Sequence, residues 1–156
     1  MANGFRYRAT ICLTSLVALF VSLYLHLWKV GRIGTLACAG GGCETVQTSR
    51  WASFLGIDVA LIGALGYGAI FLVSLAGLEP RWRDTGWPTA VLMILIYSAV
   101  LFTLWLKYAE LVLLRSFCPW CLVSTVAIAL CAVMVTLDGR RLRARPGRAA
   151  PARVAL

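Results

Sequence analysis

Charge is scarce in this 156-residue chain, and acid is scarcer still. Asp, Glu, Lys and Arg make up 13% of the residues, there are six acids in all, and His26 is the single histidine. Soluble globular chains carry about 25% charged residues, so this composition argues against a water-soluble domain and excludes a disordered one. What fills the space is apolar: 61% of the chain is hydrophobic and the mean hydropathy is +0.85. The net charge of +9 would suit nucleic acid, but the basic residues lie at the edges of apolar runs rather than in a stripe. That pattern reads as a small integral membrane protein with basic flanks, and it points away from a nucleic-acid partner.

A helix needs about 20 apolar residues to cross a bilayer. Four runs meet that length, at about residues 10–27, 59–78, 89–106 and 118–137. In lipid every backbone group must be paired within the segment, so each run is expected to be a helix. Pro88 opens the third run, and Asp138-Gly139 closes the fourth. The expected fold is all-α: a four-transmembrane-helix bundle over residues 1–138, with a small cap between the first two helices. Residues 139–156 read as a basic, disordered cytoplasmic tail near anionic lipid.

Four crossings put both termini on one side. Arg6, Arg8, Arg81, Arg83 and the tail arginines 140, 141, 143, 145, 148 and 153 would share that side. Lys29, Arg32, Arg50, Lys107 and Arg115 would face the other. The imbalance predicts cytoplasmic termini. The first run is too long an apolar core for a signal peptide, and Lys29 and Arg32 follow it directly, so it is expected to be retained.

Two loops have further content. Residues 28–58 are far more than a hairpin needs, and Trp51, Phe54, Leu55 and Ile57 read as an amphipathic piece at the interface. Residues 107–117 are mostly apolar and read as extensions of the flanking helices. In the second run Ala60, Ala64 and Gly68 recur every four residues, as do Gly63 and Tyr67. Small residues at that spacing favour close helix packing in lipid.

Six cysteines are many for such a chain. Cys118-Pro119-Trp120-Cys121 stands at the start of the fourth helix. Cysteines three apart in a first turn share a face and can close a disulfide with little backbone movement. The helix N-terminus favours the Cys118 thiolate. Covalent haem would need histidine after Cys121, where Leu122 stands. Zinc would need two more ligands, which Cys38 and Cys43 would have to supply, because His26 lies in a helix. A static C-x-x-C disulfide encloses almost no chain and stabilises little. Redox exchange is therefore the favoured reading, with a metal site and an inert pair as alternatives. Cys38 and Cys43 form a second pair separated by Ala39-Gly40-Gly41-Gly42. Three glycines make a mobile hinge, and residues 28–43 could extend about 50 Å. Cys12 and Cys131 lie inside apolar helices and read as small hydrophobes.

Two dithiols on one face, one mobile and one at the lipid boundary, are what passing electrons from an aqueous protein into a membrane requires. The glycines at 63, 66 and 68 lie in a membrane run and are no nucleotide fingerprint. The expected acceptor is therefore a lipid-soluble quinone. Phe117 and Trp120 flank the cysteines, and Tyr97 or Trp105 is expected to line the same pocket. Trp28, Trp51 and Trp87 read as an interfacial belt.

From about residue 10 to 137 the chain resembles the vitamin K epoxide reductase family and its bacterial homologues. The resemblance rests on Ser22-Leu23-Tyr24, the string from Cys43 through Glu44, Val46, Gln47 and Ser49 to Trp51, then Leu55-Gly56-Ile57, Gly63 and Tyr67, and Phe117-Cys118-Pro119-Trp120-Cys121. The loop pair precedes the helix-borne pair, whereas the functionally similar DsbB family has its C-x-x-C in the first outer loop. The resemblance implies that Cys38 exchanges with a soluble partner, Cys43 passes electrons to Cys118, and Cys121 reacts with the quinone. Ser49 would lie in the cap and steady the loop. It further implies a bacterial cytoplasmic membrane, ubiquinone or menaquinone as acceptor, and no metal or nucleotide cofactor. The animal enzymes carry an asparagine near Val59 and a tyrosine at Thr125, both contacting quinone oxygens, and this chain has neither. Some bacterial members carry a fused thioredoxin-like domain. Here only a short tail follows residue 137, so a periplasmic thioredoxin-fold (DsbA-like) protein is expected to act in trans. The expected function is a quinone-dependent thiol oxidase supporting disulfide formation in exported proteins. The alternatives are epoxide reduction with the same cysteines and a non-catalytic four-cysteine metal site.

Overall fold

The computed structural model describes residues 2–38, 42–82 and 85–144. The glycine hinge at 39–41, Arg83 and the tail from 145 lie outside the described residues. Four long helices form the bundle: α1 (Ala2–Lys29), α3 (Val59–Leu78), α4 (Trp87–Tyr108) and α5 (Pro119–Arg143). The short α2 (Gly42–Thr48) and a two-stranded hairpin, β1 (Ser53–Phe54) with β2 (Ile57–Asp58), form the cap between α1 and α3. All four long helices are long and apolar enough to cross a membrane. Their outward faces carry Leu13, Phe20, Leu65, Ile94 and Leu101, all exposed. Facing water these side chains would be costly, whereas lipid is the solvent they match. The chain is a multi-pass membrane protein. Inside, Ile11, Ala18, Ile70, Leu92, Ile96, Ile128 and Val135 fill the core.

The helices overrun the apolar runs at the end of the bundle where the termini meet. α1 begins at Ala2 rather than near Thr10, and α5 continues through Asp138-Gly139 to Arg143. The reason is one buried ion pair. Arg8 and Asp138 are each 1% exposed. Arg8 Nε donates to Asp138 Oδ2 at 2.9 Å, its NH1 to the Gly77 carbonyl at 2.7 Å, and its NH2 to Thr89 Oγ1 at 2.9 Å. Thr89 Oγ1 in turn donates to Asp138 Oδ2 at 2.7 Å. Charges that interrupt a hydropathic run thus neutralise each other across the bundle, and neither helix has to stop. Residues 139–143 belong to α5 and not to a tail.

The small-residue stripe is used in part. Ala60 and Ala64 are buried, and Gly63 abuts Ser22 of α1, whereas Gly68 faces open space. The stretch Trp51–Ile57, the expected amphipathic piece, is a 3-10 turn and a hairpin. The hairpin turn places Leu55 at φ 52° and Gly56 at φ 81°, and two positive φ values in succession define a tight primed turn. Phe54 stacks edge-on against Phe102 and Trp105 of α4 at 5.7 and 5.9 Å. Trp51 stacks on Trp105 at 5.5 Å and so packs onto the bundle. Asp58 caps α3 by accepting the Ala60 N–H, and it binds His26 Nδ1 at 2.7 Å and Lys29 Nζ at 2.8 Å. Burial opposes ionisation of Asp58, but the bonds from Lys29 and His26 outweigh it and hold the carboxyl below its usual range. The end of α1 is thereby fastened to the cap.

Candidate active site: two cysteine pairs and a cavity

α4 does not run straight into the loop that precedes Cys118. It ends in a π-turn, Ala109–Leu113, closed by the Leu114 N–H on the Ala109 carbonyl at 2.9 Å. Single π-turns often mark functional positions. This one turns Glu110 inward, 3% exposed. Glu110 Oε1 accepts the Cys118 backbone N–H at 2.9 Å, and Oε2 accepts from Lys107 Nζ at 2.8 Å. The chain then enters α5 with Cys118 at the N-cap and Pro119 in the first turn. Cys118 Sγ accepts the Cys121 N–H at 3.2 Å. Hydrogen bonding from the Cys121 side chain lowers the Cys118 thiol. Burial opposes this, and the Cys121 backbone N–H assists it. The Glu110 carboxylate pushes the thiol up and the Lys107 ammonium pulls it down.

The loop pair lies directly against this turn. Cys38 and Cys43 are disulfide-bonded with Cα atoms 6.1 Å apart, while Cys118 and Cys121 are free thiols. Cys43 and Cys118 are both fully buried. The residues preceding them touch: a Cβ at Gly42 would collide with the Phe117 carbonyl oxygen. Glycine is thus required at 42 because two cysteine-bearing segments approach backbone to backbone. On the other side of the disulfide, Ala37 is held at both its polar atoms. Its N–H donates to Tyr24 Oη at 3.0 Å, and its carbonyl accepts from Trp120 Nε1 at 2.7 Å. The Tyr24 and Trp120 rings pack 5.5 Å apart. The segment bearing Cys38 is therefore anchored to the C-x-x-C turn at its entry.

Below the turn lies a cavity of about 420 Å³ among α1, α2, α3, α4 and α5. Val59, Trp120, Cys121 and Thr125 line it, as do Trp51, Gly63, Tyr67 and Phe102. Cys118 does not line it. Lys107 and Glu110 reach its wall, and so does Gln47 of α2, whose Nε2 lies 3.9 Å from Cys121 Sγ. Ser49 borders the cavity too, and its Oγ donates to the Val46 carbonyl at 2.7 Å, closing the end of α2.

Of the residues expected around the cysteines, Phe117 and Tyr97 stand apart from the cavity. Phe117 is exposed, and Tyr97 Oη bonds Thr136 Oγ1 at 2.8 Å on an outer face. Trp105 supports the hairpin instead of lining the wall. Thr125 Oγ1 donates to the Cys121 carbonyl at 2.7 Å. Among the described residues no group of three or more His, Cys, Asp or Glu side chains gathers to hold a metal. Gln47, Lys107 and Glu110 carried no role in the sequence reading. An acid within a membrane segment was the available signal, and Glu110 was masked by its apolar neighbours.

The fold and this site define a class: a four-span membrane protein with two neighbouring cysteine pairs, one oxidised and one reduced, of which the reduced pair borders an apolar cavity through Cys121. The family model of the Vitamin K epoxide reductase family matches residues 9–136, and the chain belongs to that family. It is an oxidoreductase whose redox groups are cysteines.

Proposed function

We propose that this protein is a thiol oxidase that delivers electrons from a soluble dithiol to a membrane quinone. The observation that carries the reading is the placement of Cys121 on the wall of a 420 Å³ apolar cavity while Phe117 and Gly42, the residues before Cys118 and Cys43, meet backbone to backbone. A reduced thioredoxin-fold protein attacks the Cys38–Cys43 disulfide at Cys38, the less buried sulfur, and leaves as a disulfide. The Cys43 thiolate then attacks Cys118 of a Cys118–Cys121 disulfide, and Cys38 resolves the mixed bond. This regenerates Cys38–Cys43 and leaves Cys118 and Cys121 as thiols. That distribution of bonds is the one observed. The reduced pair then gives two electrons and two protons to a quinone, forming the Cys118–Cys121 disulfide and a hydroquinone. Ubiquinone and menaquinone are both candidates.

The distribution of arginines supports cytoplasmic termini, with the cysteines on the extracytoplasmic side of a bacterial cytoplasmic membrane, where disulfides persist. The soluble partner is then a DsbA-like thiol protein, and the products are disulfides in exported proteins. Donor choice tests the order of steps. Cys38→Ser and Cys43→Ser variants should lose oxidation of a thioredoxin-fold donor yet retain oxidation of dithiothreitol. Equal loss with both donors would contradict a relay that begins at the loop pair.

A further inference from the structure

Gln47 is 6% exposed, and its carboxamide faces the cavity. A buried amide ordinarily finds partners, because leaving it without them is costly. Among the described residues the one hydrogen bond of this side chain is the long 3.9 Å approach of Nε2 to Cys121 Sγ. The carboxamide oxygen has no partner there. Among the other polar groups on the wall, Tyr67 Oη is engaged with Ser124 Oγ at 2.7 Å, Thr125 with the Cys121 carbonyl, and Lys107 with Glu110. An under-satisfied, buried donor and acceptor thus stands beside the sulfur that borders the cavity.

We propose that Gln47 is the residue that hydrogen-bonds a quinone oxygen next to Cys121. The inference rests on the thiol-oxidase reading and names a contact within it. The chemistry suits both oxidation states of the ligand. Nε2–H donates to the carbonyl oxygen of the quinone, and Oε1 accepts the O–H of the hydroquinone. A carboxamide therefore serves a site that must bind substrate and release product without changing its own protonation. Gln47 also lies one turn from Cys43 on α2, so one short helix carries the donor-side sulfur and the acceptor-side hydrogen bond.

The test uses the full chain in detergent micelles with a short-tailed ubiquinone. Trp51 and Trp120 line the cavity, so quenching of tryptophan fluorescence reads binding independently of turnover. Gln47→Leu should weaken quinone binding and raise the KM for quinone roughly 3- to 10-fold, the weight of one hydrogen bond. The rate of thiol exchange between a protein donor and Cys38–Cys43 should stay unchanged. In Gln47→Glu, ionised Glu accepts only and protonated Glu donates. The ratio of variant to wild-type kcat/KM for quinone should therefore rise as pH falls. Lys107, Glu110, Tyr67 and Cys121 face the same cavity in both proteins, so the ratio removes their contribution. Wild-type affinity in Gln47→Leu would overturn the assignment, as would a Gln47→Glu ratio flat with pH. Binding that depends on Gln47 in a protein that reduces no quinone would support this contact and overturn the thiol-oxidase reading alone.

Discussion

Trp120 donates its indole N–H to the carbonyl of Ala37 at 2.7 Å, so a residue inside the C-x-x-C motif holds the residue preceding Cys38. The two pairs are registered by this bond and by Tyr24, which takes the N–H of the same residue. Tyr24 does not line the cavity. Tyr24→Phe keeps the ring contact with Trp120 and removes only the acceptor oxygen. Turnover with a protein donor is expected to fall about 3- to 10-fold, the weight of one hydrogen bond, with the KM for quinone unchanged. Steady-state kinetics with each substrate varied in turn checks both halves.

Gly42 makes a second prediction about the same meeting point. Gly42→Ala puts a methyl group into the Phe117 carbonyl, and relief must come from moving α2 away from Cys118. Overpacking of this kind costs about 1–3 kcal/mol. In a background with Cys38→Ser and Cys121→Ser, Cys43 and Cys118 should form a mixed disulfide visible on a non-reducing gel. Adding Gly42→Ala should reduce its yield severalfold while the chain remains folded.

Glu110 and Lys107 act on Cys118 with opposite sign. Cys118 is held below the ordinary thiol value of 9.0, first through the Cys121 side chain, and the Glu110 carboxylate works against that shift. Glu110→Gln retains an oxygen for the Cys118 N–H and removes the charge, so the thiolate should form at still lower pH. The alkaline-rising limb of single-turnover quinone reduction should then move to lower pH. Lys107→Met removes the cation that favours the thiolate and should move the limb the other way. Shifts in the same direction for both variants would contradict these roles.

At the far end of the bundle, Arg8 and Asp138 define a stability prediction. Removing one member of a buried pair strands the other and costs about 3–5 kcal/mol. Arg8→Met should therefore lower the midpoint of thermal unfolding in detergent markedly. The double variant with Asp138→Leu should recover much of the loss, because neither fully buried charge of the pair remains.

That pair also explains what the sequence could and could not disclose. The four spans were legible because lipid demands long uncharged runs, and each run stands out locally. Their ends at Thr10 and Asp138 were not, since a charge in a hydropathic run reads as a boundary until its partner is known. Arg8 and Asp138 are 130 positions apart. The C-x-x-C turn was legible for the opposite reason, as its geometry is contained within four residues. Gln47 and Glu110 acquire meaning only from what other elements place opposite them. Tyr97 and Phe117 were drawn toward the cysteines by helix count and by adjacency. One turns to Thr136 and the other outward. The hairpin at 53–58 was hidden because the apolar pattern of Trp51, Phe54, Leu55 and Ile57 reads as an amphipathic piece without specifying its backbone.

The central claim is that electrons leave the protein from Cys121 into a quinone in the cavity. The most direct measurement is quinone absorbance over time, with purified protein and a reduced thioredoxin-fold donor, for wild type beside Cys121→Ala. The account predicts stoichiometric quinone reduction that requires both donor and protein and that Cys121→Ala abolishes. Full quinone reduction by Cys121→Ala, or none by wild type across several quinones and donors, would contradict it.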